Sequence, residues 1–259
     1  IFDLDAEAKE QDVLLVSGAS SVPGLSSTVI DELIGQFSQL DEIDFAIAPG
    51  NKAERGEATV RGILSYTGHP FKVLVDGQWV DRYGWMSARQ LDFGKVLGKR
   101  WLANIDIPDL ELLPKRYPSV KTVTFQAGLE LTFLHLGMVF MAWLAKIGLI
   151  KDGSVLTKLI FNSSEILKGL GTDSGGMQIN LMGLDSHQRA KKIQWLLTAE
   201  KGVGPYIPTL SAIILAKKLI AGTLDQRGAM ACLGLYSLKD FDKEAKPLGI
   251  YHHTEVVCG

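Results

Sequence analysis

Apolar residues recur along this chain with two periods, and each period predicts a different element. Residues 12–17 (DVLLVS) are a short apolar run ending in a small residue, the pattern of a buried parallel strand. A small-residue turn follows at residues 18–24 (GASSVPG), and residues 25–40 then carry Val29, Ile30, Leu33, Ile34 and Phe37 at helical spacing. Strand, turn and helix make a βα unit, whose turn lies at the carboxyl end of its strand, where α/β proteins place ligands. A second unit repeats the logic: a strand at residues 43–48 (IDFAIA), the turn Pro49-Gly50-Asn51, and a helix over residues 54–65 with Val60, Ile63 and Leu64 on one side. Asp76-Gly77 between extended segments 71–75 and 78–80 predicts a hairpin.

Beyond this point the pattern changes. Residues 84–118 read as irregular, being rich in Pro, Gly and charge. Residues 120–125 (VKTVTF) alternate like a half-buried strand, residues 128–147 form a long apolar helix, and a further helix is expected over residues 154–168. After a Gly-rich loop at residues 169–176, residues 177–185 and 192–200 alternate and predict adjacent antiparallel strands. Thr209 is expected to cap a helix reaching Leu219, residues 228–236 to be extended, and residues 238–246 to form a short helix. The expected class is mixed α/β (α+β), with a second sheet that is mainly antiparallel and covered by helices.

Composition narrows the field. With 46% hydrophobic and 22% charged residues in 259, the chain has the balance of a globular protein with a filled core. Its net charge of -2 and the lack of a basic block argue against nucleic acid as a partner. Two cysteines, Cys232 and Cys258, without metal-type spacing point to a reducing compartment, the cytoplasm. Residues 131–145 (LTFLHLGMVFMAWLA) fall short of the roughly 20 residues that a bilayer span needs. They contain His135 and are bracketed by Glu130 and Lys146, so a core or interface helix is the better reading than membrane contact. The opening, from Ile1 through the polar residues 3–9, reads as the interior of a longer chain, without the features of a signal peptide.

Candidate chemistry is sparse. The dinucleotide fingerprint G-x-G-x-x-G is missing; residues 169–174 (GLGTDS) end in Ser and precede a strand where a helix is required. Residues 18–22 (GASSV) lack the last glycine of a hydrolase elbow. The five histidines give no metal set, and His135 reads as a core histidine. Ser20 and Ser21 are either ligand-facing or satisfy backbone N–H groups in a turn leading into a helix. Asn51 and Arg55 open a helix whose N-terminus can hold a carboxylate, or they belong to a solvated first turn. Gly204 permits close backbone approach to a ligand or simply makes a tight turn. Asp173 has the same two readings, ligand border or flexible loop before a hairpin.

Taken in order, several segments resemble one family. Residues 18–27 (GASSVPGLSS), 48–59 (APGNKAERGEAT), 198–200 (TAE), 204–208 (GPYIP), 212–219 and 228–236 (GAMACLGLY), with Phe241 and residues 247–250 (PLGI), are similar to saccharopine dehydrogenase-like oxidoreductases, and together they cover nearly the whole chain. The resemblance implies a Rossmann domain that binds NAD(P), and a second domain that shapes the substrate site and forms a dimer. On that reading residues 1–40 and 225–259 are the remaining edge of the nucleotide-binding domain, and residues 41–224 are the substrate and dimerisation domain. The chain would be the C-terminal part of an NAD(P)-dependent oxidoreductase acting on an amino acid-derived imine or related small molecule, inactive by itself. The alternative is a non-catalytic dimerisation or interaction module of the same shape. Ser20 and Gly24 would lie beside the cofactor, Ser20, Ser21, Asn51, Arg55, Asp173 and Gly204 would border the substrate, and Glu200 is the candidate proton carrier.

Overall fold

The computed structural model describes residues 1–54, 56–151 and 153–257; Arg55, Asp152, Cys258 and Gly259 lie outside the described residues. In chain order the elements are α1 (Asp5–Glu10), β1 (Leu14–Ser17), α2 (Ser26–Ile34), β2 (Gln39–Ala48), α3 (Glu57–Tyr66), β3 (Pro70–Val75), β4 (Gln78–Tyr83), β5 (Arg89–Asp92), α4 (Gly94–Leu97), β6 (Lys99–Asn104), α5 (Asp109–Arg116), β7 (Thr122–Ala127), α6 (Thr132–Lys146), α7 (Thr157–Ile166), β8 (Gly175–Leu184), β9 (Ala190–Ala199), α8 (Ile207–Ile220), β10 (Gly228–Ala231), α9 (Leu238–Ala245) and β11 (Ile250–Val257). Seven strands form one sheet in the order β11-β9-β8-β2-β7-β6-β5. Its β2–β7 pair is parallel and the other pairs are antiparallel, which is the mixed, largely antiparallel sheet expected of the chain. A separate parallel pair joins β1 to β10.

Strand alternation gives the sheet two different faces. Ile43, Phe45, Val123, Phe125, Ile179, Leu181, Ile193, Trp195 and Leu197 enter the main core, where Val29, Ile30, Leu113, Leu210, Ile214 and Phe241 pack in the same cluster. Intervening residues build a partly buried polar network instead. Arg89 forks onto Asp44 at 2.6 and 2.8 Å and donates to Gln126, while Thr124 donates to Asp44 at 2.8 Å. Buried polar groups need such partners, because an unpaired one costs roughly 1–3 kcal/mol.

Several expectations are corrected by tertiary pairing. The helix expected over residues 25–40 stops at Ile34, and Gln39 and Leu40 instead pair with Leu184 and Gly183 as the start of β2. Residues 84–118 are not irregular: they hold β5, α4, β6 and α5. Their strands are short and lie at the end of the sheet, so they show little alternation. Thr209 is not a helix cap, since α8 begins at Ile207 with Pro208 in its first turn, and the Thr209 hydroxyl bonds the Tyr206 carbonyl. Only Gly228–Ala231 of residues 228–236 is a strand. Within residues 225–257, β10 pairs with β1, whereas β11 lies along β9 at the edge of the large sheet. The hairpin at Asp76-Gly77 forms with both residues at positive φ (50° and 76°), as a two-residue turn of that handedness requires. Among the described residues no helix is long and apolar enough to cross a membrane.

One buried acid couples the fold to pH. Asp109, fully buried in the first turn of α5, accepts the Ser26 hydroxyl, and its Oδ2 has no partner among the described residues. Burial raises its pKa to about 7, against the smaller opposing effect of the Ser26 hydrogen bond. The folded state therefore holds this proton more tightly than the unfolded chain does. Its contribution to stability is complete below about pH 4 and declines as pH rises to about 7. Asp109→Asn, which keeps the shape without the ionisation, should flatten that part of the stability–pH profile in urea titrations at pH 4 to 8 and make the variant more stable than the parent at pH 8.

Candidate functional site

The carboxyl ends of β2 and β7 and the start of β8 open into a cleft of about 440 Å³. Ile47, Phe125, Ala127 and Met177 form its apolar floor, Trp85 and Ile105 close one side, and loops bring Ser21, Pro49, Gly50, Asp173 and Gly204 to its rim. The described charged residues that line it are Glu54 and Asp173. A ligand here would meet mainly apolar carbon, with a few polar groups to orient it.

The wall made by the loops after β2 and before β8 is held together by one carboxylate. Glu130 Oε2 accepts the backbone N–H groups of Asn51 (2.7 Å) and Thr172 (2.8 Å). Its Oε1 accepts the Thr172 hydroxyl at 2.8 Å and the guanidinium of Arg100 at 2.9 Å. Both charged side chains are buried, at 11% exposure for Arg100 and 7% for Glu130. Burial pushes the Glu130 pKa up, but the Asn51 and Thr172 donors and Arg100 outweigh it and hold it below the ordinary glutamate value. The two loops also touch directly: Lys52 N–H donates to the Thr172 carbonyl at 3.0 Å. A Cβ on Gly50 would sit 2.7 Å from backbone oxygens of Thr172 and Ser174, so only glycine allows this approach.

The structure separates the residues singled out from the sequence. Ser21, Asp173 and Gly204 come together at the cleft. Ser20 is half-buried beside it, and its carbonyl accepts the Ser211 hydroxyl at 2.9 Å. Gly24 is buried where a Cβ would meet Ser211 Oγ at 2.9 Å and Cys232 Sγ at 3.3 Å, so it serves packing against α8. Asn51 is buried, and its side-chain amide donates to the carbonyls of Leu167 and Leu170 at the end of α7 (2.8 and 3.0 Å), which makes it a joint in the cleft wall. Glu200 stands exposed after β9 and is not among the residues that line the cleft. Arg55 lies outside the described residues.

Sequence reasoning missed Glu130, Arg100 and Trp85. The available signal was an acid next to an almost wholly apolar run, a position where an unpaired charge is not tolerated. His135 is fully buried between Trp85 (5.3 Å between ring centres) and Trp101 (6.5 Å). Its Nδ1 accepts the Leu129 N–H at 3.4 Å, and burial lowers its pKa to about 4, so the ring is neutral near pH 7.

No protein-family model and no curated protein matches this sequence. Among solved structures, apo histidine-tagged saccharopine dehydrogenase (L-Glu forming) from Saccharomyces cerevisiae superposes with a TM-score of 0.64 at 14% identity, over 99% of this chain and 77% of that one. The fold is saccharopine dehydrogenase-like. At this identity the likeness extends to the fold alone.

Because Glu130 completes the cleft wall, its removal has a direct readout. Glu130→Ala should destabilise the protein by about 3–5 kcal/mol in chemical denaturation, since it leaves Arg100 buried without a counter-charge. The stability that depends on this depressed pKa is present at neutral pH and is lost as pH falls through the folded-state value, so the gap between parent and variant should shrink in acid.

Proposed function

We propose that this chain is the substrate-binding and dimerisation part of an NAD(P)-dependent oxidoreductase of saccharopine dehydrogenase type, acting on an amino acid-derived imine or related small molecule. The observation that carries the proposal is the apolar cleft at the carboxyl ends of β2 and β7, with Ser21, Gly50, Asp173 and Gly204 converging on it from separate loops. Such a cleft excludes water around a reacting carbon, and its few polar groups orient the substrate.

The residues present do not fit the pyrophosphate of the cofactor. The nearest approach to a glycine-rich cradle, residues 169–174, gives the Thr172 N–H to the Glu130 carboxylate, so a negative charge already occupies the place a phosphate would take. In this reading the phosphate grip belongs to a separate Rossmann sheet. The β1–β10 pair is suited to extend into one: it is a two-stranded parallel sheet, an arrangement that normally occurs inside larger covered sheets, and Leu15 and Val13 beside it are exposed.

A second reading, a non-catalytic interaction module, is favoured by the exposed Phe133, Phe140 and Trp143 of α6. In the oxidoreductase reading the same face serves dimerisation, in the cytoplasm. Calorimetric titration with NADPH separates the two readings. The full-length gene product should bind it saturably and this chain should not. Equal, tight binding by this chain would contradict the assignment, and no binding by either would favour the module.

A further inference from the structure

A second hollow of about 270 Å³ lies between α3, α6 and α7. It adjoins the cleft, since Ile63, Trp85 and Leu129 line both. Leu64, Met138, Met141 and Ile160 complete an apolar wall, and the exposed Phe133 and Gly137 stand at its mouth. The polar residues that line it are Ser163 and Ser164, and the Ser164 hydroxyl already bonds the Phe161 carbonyl at 2.7 Å. Protein interiors are close-packed, and an apolar hollow with so few water partners stays dry and favours an apolar guest.

Trp85, at the junction, is an unusual wall residue. It is 2% exposed, its indole N–H has no acceptor among the described residues, and its φ of 57° lies in the left-handed region that a bulky side chain rarely adopts. Strained backbone clusters at active sites and ligand clamps, and an unpaired buried donor calls for an explanation.

We propose that this hollow is a tail pocket, so that the ligand of the cleft carries an unbranched hydrocarbon segment that passes Trp85 and lies between α3, α6 and α7. The proposal rests on the reading of the cleft as the substrate site. It specifies the substrate as an amphiphile, with a polar reacting end near Ser21, Asp173 and Gly204 and an alkyl end among methionine, leucine and isoleucine side chains. Unbranched chains suit walls lined by methionine, whose flexible thioether adapts to irregular apolar shapes.

Calorimetric titration of the chain with straight-chain alcohols from butanol to octanol tests it. Affinity should rise about three- to four-fold per added methylene. Gly137→Leu should abolish that dependence on length, because Gly137 lines the hollow and a leucine there adds bulk where a Cβ meets no atom within 4 Å. The same change improves helix propensity, so the variant should fold and melt no lower than the parent. Phe140→Ser with Trp143→Ser, on the exposed face outside the hollow, should leave the dependence intact. Loss of the dependence in that double variant but not in Gly137→Leu would place the alcohols on the surface and overturn the proposal, as would affinity that does not change with length. If the alcohols behave as expected but the full-length gene product binds no NADPH, the tail pocket stands and the oxidoreductase reading falls. If NADPH binds but chain length has no effect, the reverse holds.

Discussion

A single buried carboxylate sets the shape of the candidate site. Glu130 stands just before α6 with donors from three other parts of the chain around it: the backbone after β2, the backbone and hydroxyl before β8, and the guanidinium of Arg100 on β6. A charge removed from water is tolerated only when it is paired and hydrogen-bonded, so each partner must arrive at a fixed place. That requirement fixes the local sequence. Gly50 and Gly171 occur where any side chain would strike the opposing loop or the carboxylate itself. Asn51 extends the joint to the end of α7 through the Leu167 and Leu170 carbonyls.

From this joint the larger architecture follows. The sheet supplies a rigid floor, because one of its faces is a continuous apolar core and the other is held by Arg89, Asp44, Thr124 and Gln126. The cleft opens where β2 and β7 run parallel and end together, and Glu130 keeps two of its bordering loops closed against each other. The likeness to saccharopine dehydrogenase concerns the fold alone. Function resides in the lining, and here the lining is apolar, with a side hollow that Trp85 joins to the main cleft.

Much of the framework was legible in the order of residues, for identifiable reasons. Asp76-Gly77 specifies its own turn, and the alternation of residues 177–185 and 192–200 needs only one buried face to define β8 and β9. Elements set by distant partners were not legible. The first residues of β2 are extended because β8 lies beside them, although their apolar spacing continues the pattern of α2. Strand β11 gains its place from β9, 51 residues away at the Ile250–Ala199 pair. At the site, turn chemistry pointed to Ser21, Asp173 and Gly204, which the fold brings to one cleft. The helix-start reading pointed to Asn51, whose side-chain amide joins loops, and the resemblance pointed to Gly24, whose missing side chain allows close packing. Glu130 could not be identified by motif, since its four partners come from three separate segments.

Amide hydrogen exchange tests the central role of Glu130 most directly. In the parent protein the Asn51 and Thr172 amides should exchange slowly, with protection like that of β8 and β9. In Glu130→Gln, which keeps the size but weakens acceptance, both amides should lose protection together while β8 and β9 keep theirs. Protection that persists at both amides, or is lost at only one, would contradict the account.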